Sequence, residues 1–296
     1  MEKIHYFDSS PRGALWDGMW SSRTFEQELE ACEIEPPPRE MFLAYLPKDG
    51  KIVDAGCGFG KWVVYLHRRG YDILGIDNNE MAIAKLKEFD SSLRVEMGDI
   101  LNLGYPDDSF DAYISMGVIE HFEEGPQLAL REAHRILKPG GLVFVSVPTM
   151  NVLRSLLRWP LRNAINRVVE MLLLARSILR RCWRRQKASA TAGVNIQRVR
   201  YRHFSEYRYS RSELEGFLRQ AGFEILETVP HDFYDSRDHA AGLVVDFPFL
   251  QARNGVNFRL NVFGKITSMI LNRISPWIAC SSVLCLGRAL AKSPAQ

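Results

Sequence analysis

A chain of 296 residues, 46% of them hydrophobic, can bury one large α/β core, or a core with a modest cap. Its five cysteines, Cys32, Cys57, Cys182, Cys280 and Cys285, show no CxxC spacing, and the opening MEKIHYFDSS lacks the apolar run of a signal peptide, so reduced thiols in a cytoplasm are expected. The formal charge of +3 hides an asymmetry: the segment 151–211 carries 15 Lys and Arg against 2 Asp and Glu, a net +13, and leaves −10 on the remainder. Such a split points to an anionic partner for one region rather than to a generally basic protein.

From Lys51 onward the chain alternates strand and helix. KIVDAG is a short apolar run ending in glycine, and KWVVYLHRRG reads as a helix stopped by Gly70. DILGID is the second strand, NEMAIAKLKEF the second helix, LRVEMGDI the third strand and FDAYISM the fourth. PQLALREAHRIL is a helix closed by KPGG, and GLVFVSVP is the fifth strand. Strands alternating with helices imply a parallel sheet. Farther on, YSRSELEGFLRQAG has Ser210 three residues before Glu213, a capping-box spacing, and ends at Gly222. FEILETV is the sixth strand and ACSSVLCLGRAL the candidate for the last. No internal repeat or low-complexity tail interrupts this order.

DAGCGFG puts Gly56, Gly58 and Gly60 at the end of the first strand, where the absence of Cβ atoms lets backbone approach a ligand closely. A dinucleotide fingerprint needs its third glycine three positions after the second; here it comes two after, which weakens a nicotinamide reading. Asp77 ends the second strand about 20 residues on, where a carboxylate can accept both hydroxyls of a ribose. It could instead cap the following helix, a role open also to Asn78 or Asn79. Asp99 closes the third strand, either to meet an adenine amine or as a turn former.

Together, DAGCGFG, GIDNN, GDI, SFDAYISMGVIEHF, HRILKPGG and LRQAGFEI resemble the class I S-adenosylmethionine-dependent methyltransferases, over residues 51–148 and 210–233. The resemblance is to the ubiquinone and menaquinone methyltransferase-like group of small-molecule and lipid enzymes. It implies an α/β fold with a Rossmann-like, doubly wound, seven-stranded sheet, the last strand antiparallel, and helical insertions forming a cap. It implies S-adenosyl-L-methionine as cofactor, lying across the carboxyl ends of strands one to four. Carried over residue by residue, Asp54 orders the loop, Gly56 and Gly58 border the methionine part, and Asp77 holds the ribose, with Ala55, Gly60 and Asn78 also among the cofactor-binding residues. Asp99 and Ile100 frame the adenine, Met116 lines the methionine moiety, and Trp16 and Trp20 close over the cofactor as a lid unless they simply pack.

Methyl transfer displaces an already activated carbon, so the protein must mainly align the acceptor and exclude water. His121 in IEHF, just after the fourth strand, is a candidate base for a hydroxyl acceptor, or else a helix-start hydrogen-bonding group. His203 in YRHFSEY would enter from the opposite rim with Phe204, Tyr207 and Tyr209, as acceptor contacts or as cap packing. SMGVIEHF stands where a Pro-Pro-aromatic signature would mark methylation of exocyclic base nitrogens or glutamine amides, and no Pro-Cys pair exists for pyrimidine C5 chemistry. Cys57 is a small filler in the loop.

Between the fifth strand and YRHFSEY, apolar residues recur every three or four positions, and so do Arg154, Arg158 and Arg162, then Arg176, Arg180 and Arg184. Two amphipathic helical stretches fit, with Pro160 at the break. Its longest apolar run, MLLLA, is far too short to span a bilayer, so the segment can lie on a membrane but not cross it. Those six arginines are therefore candidates for an anionic membrane surface; a plain cap and a nucleic-acid grip are the alternatives. FRLNVFGKITSMILNRISPW repeats the theme with Phe258, Val262, Phe263, Ile266, Met269 and Ile270 on one helical face.

The expected organisation is an N-terminal lid or helical segment over 1–50, the cofactor-binding core over 51–150, the basic amphipathic insertion over 151–209, and the rest of the core over 210–296 with a second insertion near 235–275. The expected function is methyl transfer to a small-molecule acceptor at the membrane, a lipid, quinone or lipid-linked glycan, by a cytoplasmic protein peripheral to the inner face. A soluble methyltransferase of a small metabolite or natural product is the runner-up, ahead of an RNA methyltransferase and of a catalytically silent adenosyl-binding module. No metal is expected.

Overall fold

The computed structural model describes residues 1–8, 25–34, 36–157, 161–169, 171–172, 175, 201–232, 240–252 and 258–292. Its centre is a seven-stranded sheet in the order β4-β3-β2-β5-β6-β9-β8. The strands are β2 (Lys51–Ala55), β3 (Asp72–Asp77), β4 (Arg94–Met97), β5 (Phe110–Met116), β6 (Leu137–Pro148), β8 (Phe223–His231) and β9 (Ser282–Ala289). The pairs from β4 through β6 are parallel, and the last strand, β9, runs antiparallel between β6 and β8. The doubly wound sheet with its reversed last strand is thus as the motifs imply.

Alternation along the strands divides the core between two faces. Val53, Leu74, Tyr113, Val143 and Val145 pack on one face with α5 (Gln127–Ile136), whose Ala129, Leu130, Ala133 and Ile136 recur at helical spacing. Ile52, Ile73, Ile114, Phe144 and Leu284 pack on the other with α3 (Lys61–His67), buried at all five positions from Trp62 to Leu66. Over α3 lie α1 (Phe25–Ile34) and α2 (Pro36–Tyr45), through Cys32 and Phe42. α4 (Glu80–Phe89) is capped by Asn79, whose side chain accepts from Ala82 N at 2.9 Å. α7 (Arg211–Gln220) opens with the capping box of Ser210 and Glu213.

Two strands lie where helix or lid was expected. β1 (Glu2–Asp8) and β7 (Tyr201–Arg208) form an antiparallel ribbon, with Glu2 opposite Arg208 and Asp8 opposite Tyr201. The ribbon joins the sheet's carboxyl edge where Tyr209 N donates to Pro148 O and Met150 N to Tyr209 O.

A third apolar cluster lies in the cap. α6 (Val152–Leu156), through Leu153 and its neighbour Leu157, packs on Leu243 and Val244 of α8 (Ala241–Asp246) and on Leu250, Leu260 and Ala279. Beside it the arginine pattern has an outcome the sequence analysis did not anticipate. Arg154 is 2% exposed. Its Nε donates to Asp246 Oδ2 at 2.7 Å, and one terminal nitrogen donates to Thr149 O at 2.6 Å and Ser281 O at 3.2 Å. Arg162, also buried, pairs with Glu2 at 3.2 Å, and Arg208 reaches Glu2 and Asp246 at 3.5 and 3.7 Å. Arg154 and Arg162 therefore cannot face an anionic membrane: their charge is spent inside, tying α6, residues 161–169, β1, β7 and α8 together. Arg158, Arg176, Arg180 and Arg184 lie outside the described residues.

Removing one partner of a buried, hydrogen-bonded ion pair leaves the other charge uncompensated, at a cost of about 3–5 kcal/mol. Asp246→Ala should destabilise the protein on that scale in denaturant unfolding, and Arg154→Met combined with Asp246→Leu should cost less than Asp246→Ala alone.

Candidate functional site

At the carboxyl ends of β2, β3 and β5 the backbone is shaped by glycines. Gly56, Gly58 and Gly60 have φ of 82°, 52° and 61°, left-handed conformations that L side chains rarely adopt. Space forbids a side chain as well: a Cβ on Gly56 would lie 2.5 Å from Val118 Cγ2, in the turn after β5. The loop is fastened to β3. Gly56 N and Cys57 N both donate to Ile76 O, at 2.7 and 3.0 Å. Gly58 N donates to one oxygen of Asp77 at 2.7 Å and Asn79 N to the other at 2.8 Å. Asp77 thus organises the loop and Asn79 caps the helix, which settles the capping question left open above.

Asp54 lies beneath the loop, buried, and burial reinforced by the negative charge of Asp77 pushes its pKa up to about 7, against a pull downward from Lys61. Ala55 is buried, Asp77 half-buried and Asn78 exposed. Asp99 is exposed two residues beyond β4, and its Oδ1 accepts from Leu101 N at 3.0 Å, the turn-forming arrangement. Ile100 is buried against Ile76 and Leu103, and Met116 is half-buried at the end of β5. This set of groups suits an adenosyl group bearing a cationic tail: a half-buried carboxylate, an exposed one just beyond the next strand, an apolar floor, and a loop with left-handed glycines at three positions.

The turn after β5 carries the second group of candidates. Gly117, at φ 77°, starts it, and Ile119–His121 form a single 3-10 turn. His121 Nδ1 is 2.7 Å from Ser205 O; a carbonyl only accepts, so Nδ1 carries the proton in this bond. β7 is thereby bound to the turn, and Tyr207 adds a hydrogen bond from its hydroxyl to Glu123 O at 3.0 Å. Phe204 and Tyr207 are buried in the main core with ring centroids 4.9 Å apart, and Lys3 Nζ stands 5.1 Å from the Phe204 ring. His203 is on β7, but its side chain, like Trp16 and Trp20, lies outside what the structure describes. Sequence reasoning passed over Glu120, the buried neighbour of His121, and Glu206 on β7. The signal for Glu120 was present in VIEHF, where a charged residue follows two apolar ones in the turn after the strand.

Residues 53–145 match a family model described as a methyltransferase domain. The chain is 32% identical over 106 residues to "Ubiquinone biosynthesis O-methyltransferase" of Pseudomonas aeruginosa, covering 34% of this chain and 45% of that protein. It is 30% identical over 128 residues to "2-methyl-6-phytyl-1,4-hydroquinone methyltransferase, chloroplastic" of Arabidopsis thaliana, covering 42% and 34%. The matched stretches span less than half the length of these curated relatives. Among solved structures, a SAM-dependent methyltransferase from Archaeoglobus fulgidus superposes with a TM-score of 0.53 at 13% identity, over 94% of this chain and 100% of that one. Another from Methanosarcina mazei gives 0.52 at 17%, over 85% and 98%. At those identities the likeness is one of fold.

Asp54 holds its proton up to about pH 7 in the folded protein against an ordinary value of 3.8, so the folded state binds more protons in that window and loses stability as pH rises through it. In thermal melts across the window, Asp54→Asn should shift the slope of Tm against pH upward relative to the unmodified protein, and an unaltered slope would remove Asp54 as a contributor.

Proposed function

We propose that this protein, whose residues 53–145 match a methyltransferase domain, transfers the methyl group of S-adenosylmethionine to a small-molecule acceptor. The loop from Gly56 to Gly60, tied down by Ile76 and Asp77, carries the reading. In it Asp77, which keeps lone pairs beyond its two backbone bonds, holds the ribose hydroxyls. Asp99 and Ile100 frame the adenine, and Gly56, Gly58 and Met116 border the methionine, with Asp54 ordering the loop from below. The cofactor supplies a carbon already activated by its sulfonium. The chain's residues have then to bind it, align an acceptor and exclude water. His121, held by Ser205 in the turn after β5, is our candidate to take a proton from a hydroxyl acceptor.

We favour a lipid, a quinone or a lipid-linked glycan, met at a membrane surface, as that acceptor. The observation in favour is α9 (Val262–Ile274), which is amphipathic in the reverse of the usual sense. Gly264, Ser268, Leu271 and Ser275 recur on the side that is buried or half-buried. The other side faces outward and is mostly apolar, with Val262 75%, Phe263 69% and Ile274 70% exposed, Ile266, Met269 and Ile270 between them, and the exposed Arg273 among them. Leu156, Leu161, Val168, Met171 and Leu172 are exposed as well. An outward apolar helix face this long is characteristic of an interaction surface. No helix among the described residues is long and apolar enough to cross a membrane, so the contact proposed is peripheral. The names of the two quinone-related relatives agree with an acceptor of this kind.

Calorimetric titration with S-adenosylhomocysteine should give micromolar or tighter binding, abolished in Asp77→Ala with its circular dichroism unchanged; no binding by the unmodified protein would sink the reading. Cosedimentation with phosphatidylglycerol vesicles should be lost when Phe263 and Ile270 are both changed to Ser, and equal pelleting of that variant would exclude α9 as the contact.

A further inference from the structure

Glu120 occupies the middle of the turn between β5 and α5, with its side chain 2% exposed. Its Oε1 lies 3.8 Å from His121 Nε2, and its Oε2 has no hydrogen-bond donor among the described residues. A buried carboxyl without Arg, Lys or a full set of donors is costly and is retained by few proteins without a use for it. The groups facing it are few. Glu206 on β7 lies near both Glu120 and His121, and Tyr209, whose buried hydroxyl has no partner among the described residues, lies near Glu120. Burial, and then the charge of Glu206, raise the pKa of Glu120 well above the usual carboxyl range, while burial lowers that of His121, so each resists its own charged form.

The position connects the pair to the cofactor loop. Val118, two residues before Glu120, fills the space over Gly56, so that this short turn both roofs the loop and carries the pair. Ser205 O fixes the ring from the Nδ1 side, which leaves Nε2, the nitrogen nearer Glu120, as the basic atom of the neutral imidazole.

The geometry points to Glu120 as a positioning residue that shares with His121 the proton an acceptor hydroxyl gives up, which makes the acceptor an alcohol or a phenol, and in the quinone case the reduced, phenolic form. The inference rests on the methyl-transfer reading above. In the ready state the pair is a carboxylate beside a neutral imidazole. The acceptor O–H bond breaks, its electron pair forms the new carbon–oxygen bond, and the donor's carbon–sulfur pair stays on sulfur. The proton goes to the pair, which gains one positive charge as the methyl donor loses its own, and it leaves to solvent after product release. Below the pH at which the pair takes up a proton from solvent, the pair is already filled and cannot serve.

The test is a pH titration of the unliganded protein, with histidine ring nitrogens followed by 15N NMR and the Glu120 carboxyl by isotope-edited infrared difference spectra. In the unmodified protein the His121 and Glu120 signals should move with one common midpoint. In Glu120→Gln the His121 midpoint should fall by about 1 unit or more, because an adjacent anion is gone. The acid limb of hydroxyl methylation should move down in pH with it, while S-adenosylhomocysteine affinity stays unchanged. Separate midpoints in the unmodified protein, or a His121 midpoint unmoved in Glu120→Gln, would overturn the assignment. Should Glu120→Gln fail to fold, the common midpoint in the unmodified protein decides alone. Loss of the methyl-transfer reading would appear as absent S-adenosylhomocysteine binding, which the unliganded titration does not depend on.

Discussion

Four backbone N–H groups, from Gly56, Cys57, Gly58 and Asn79, converge on the last two residues of β3, two on the carbonyl of Ile76 and one on each carboxylate oxygen of Asp77. Backbone donors near a sheet's edge cannot be left unpaired without cost, and here one short stretch of chain satisfies all four. The carbonyl is available because β3 ends there, and the carboxylate because position 77 is aspartate. The rest of the site follows from this fastening. It holds the loop flat across the ends of β2 and β3, leaves room for Val118 above Gly56, and so sets where the turn bearing Glu120 and His121 can lie.

A second constraint organises the periphery. Arg154 is drawn below the surface only because Asp246, Thr149 and Ser281 give it acceptors in several directions, and Arg162 because Glu2 comes across from the first strand. Buried pairs of this kind add little net stability but penalise arrangements that leave either charge alone. The consequence is registration of parts distant in sequence: residues 2, 154, 162, 208 and 246 meet in one network. Charge that looks like a surface property of a basic segment is partly an internal fastening. The apolar residues of α9 are distributed in the opposite way, outward.

The carboxyl end of the sheet gathers polar groups out of water. Besides Asp54 and Glu120, Ser146 Oγ lies 2.6 Å from His231 Nε2 between β6 and β8, and burial pulls the pKa of His231 down to about 3. Asp232, next in the chain, is pushed up to about 7 by burial although it accepts from Ala241 N at 2.8 Å and from Gly242 N. Burial disfavours the charged form of each of these groups. The ends of the strands that frame the site therefore have a low effective dielectric, in which a single added charge or proton has a large effect.

Much of this was legible in the residues themselves. Short apolar runs and glycine stops locate β2 to β6, β8 and β9, because the central strands are covered on both faces and buried along most of their length. The glycine loop and Asp77 could be read because left-handed backbone and close approach exclude nearly every other residue. Pairing between distant segments could not be read. EKIHYFD and YRHFSEYR become a ribbon only when brought together, and neither half carries a pattern strong enough alone. The four-residue spacing of arginines suggested an exposed stripe, since spacing reports a helical face and not what covers it. Sequence by itself determined the doubly wound sheet, the loop and its carboxylates, because those depend on local backbone chemistry and strand period. Only the tertiary structure decided which charges are buried, which apolar face looks outward and that Glu120 stands beside His121 out of water, because burial is a property of neighbours the chain brings from far away.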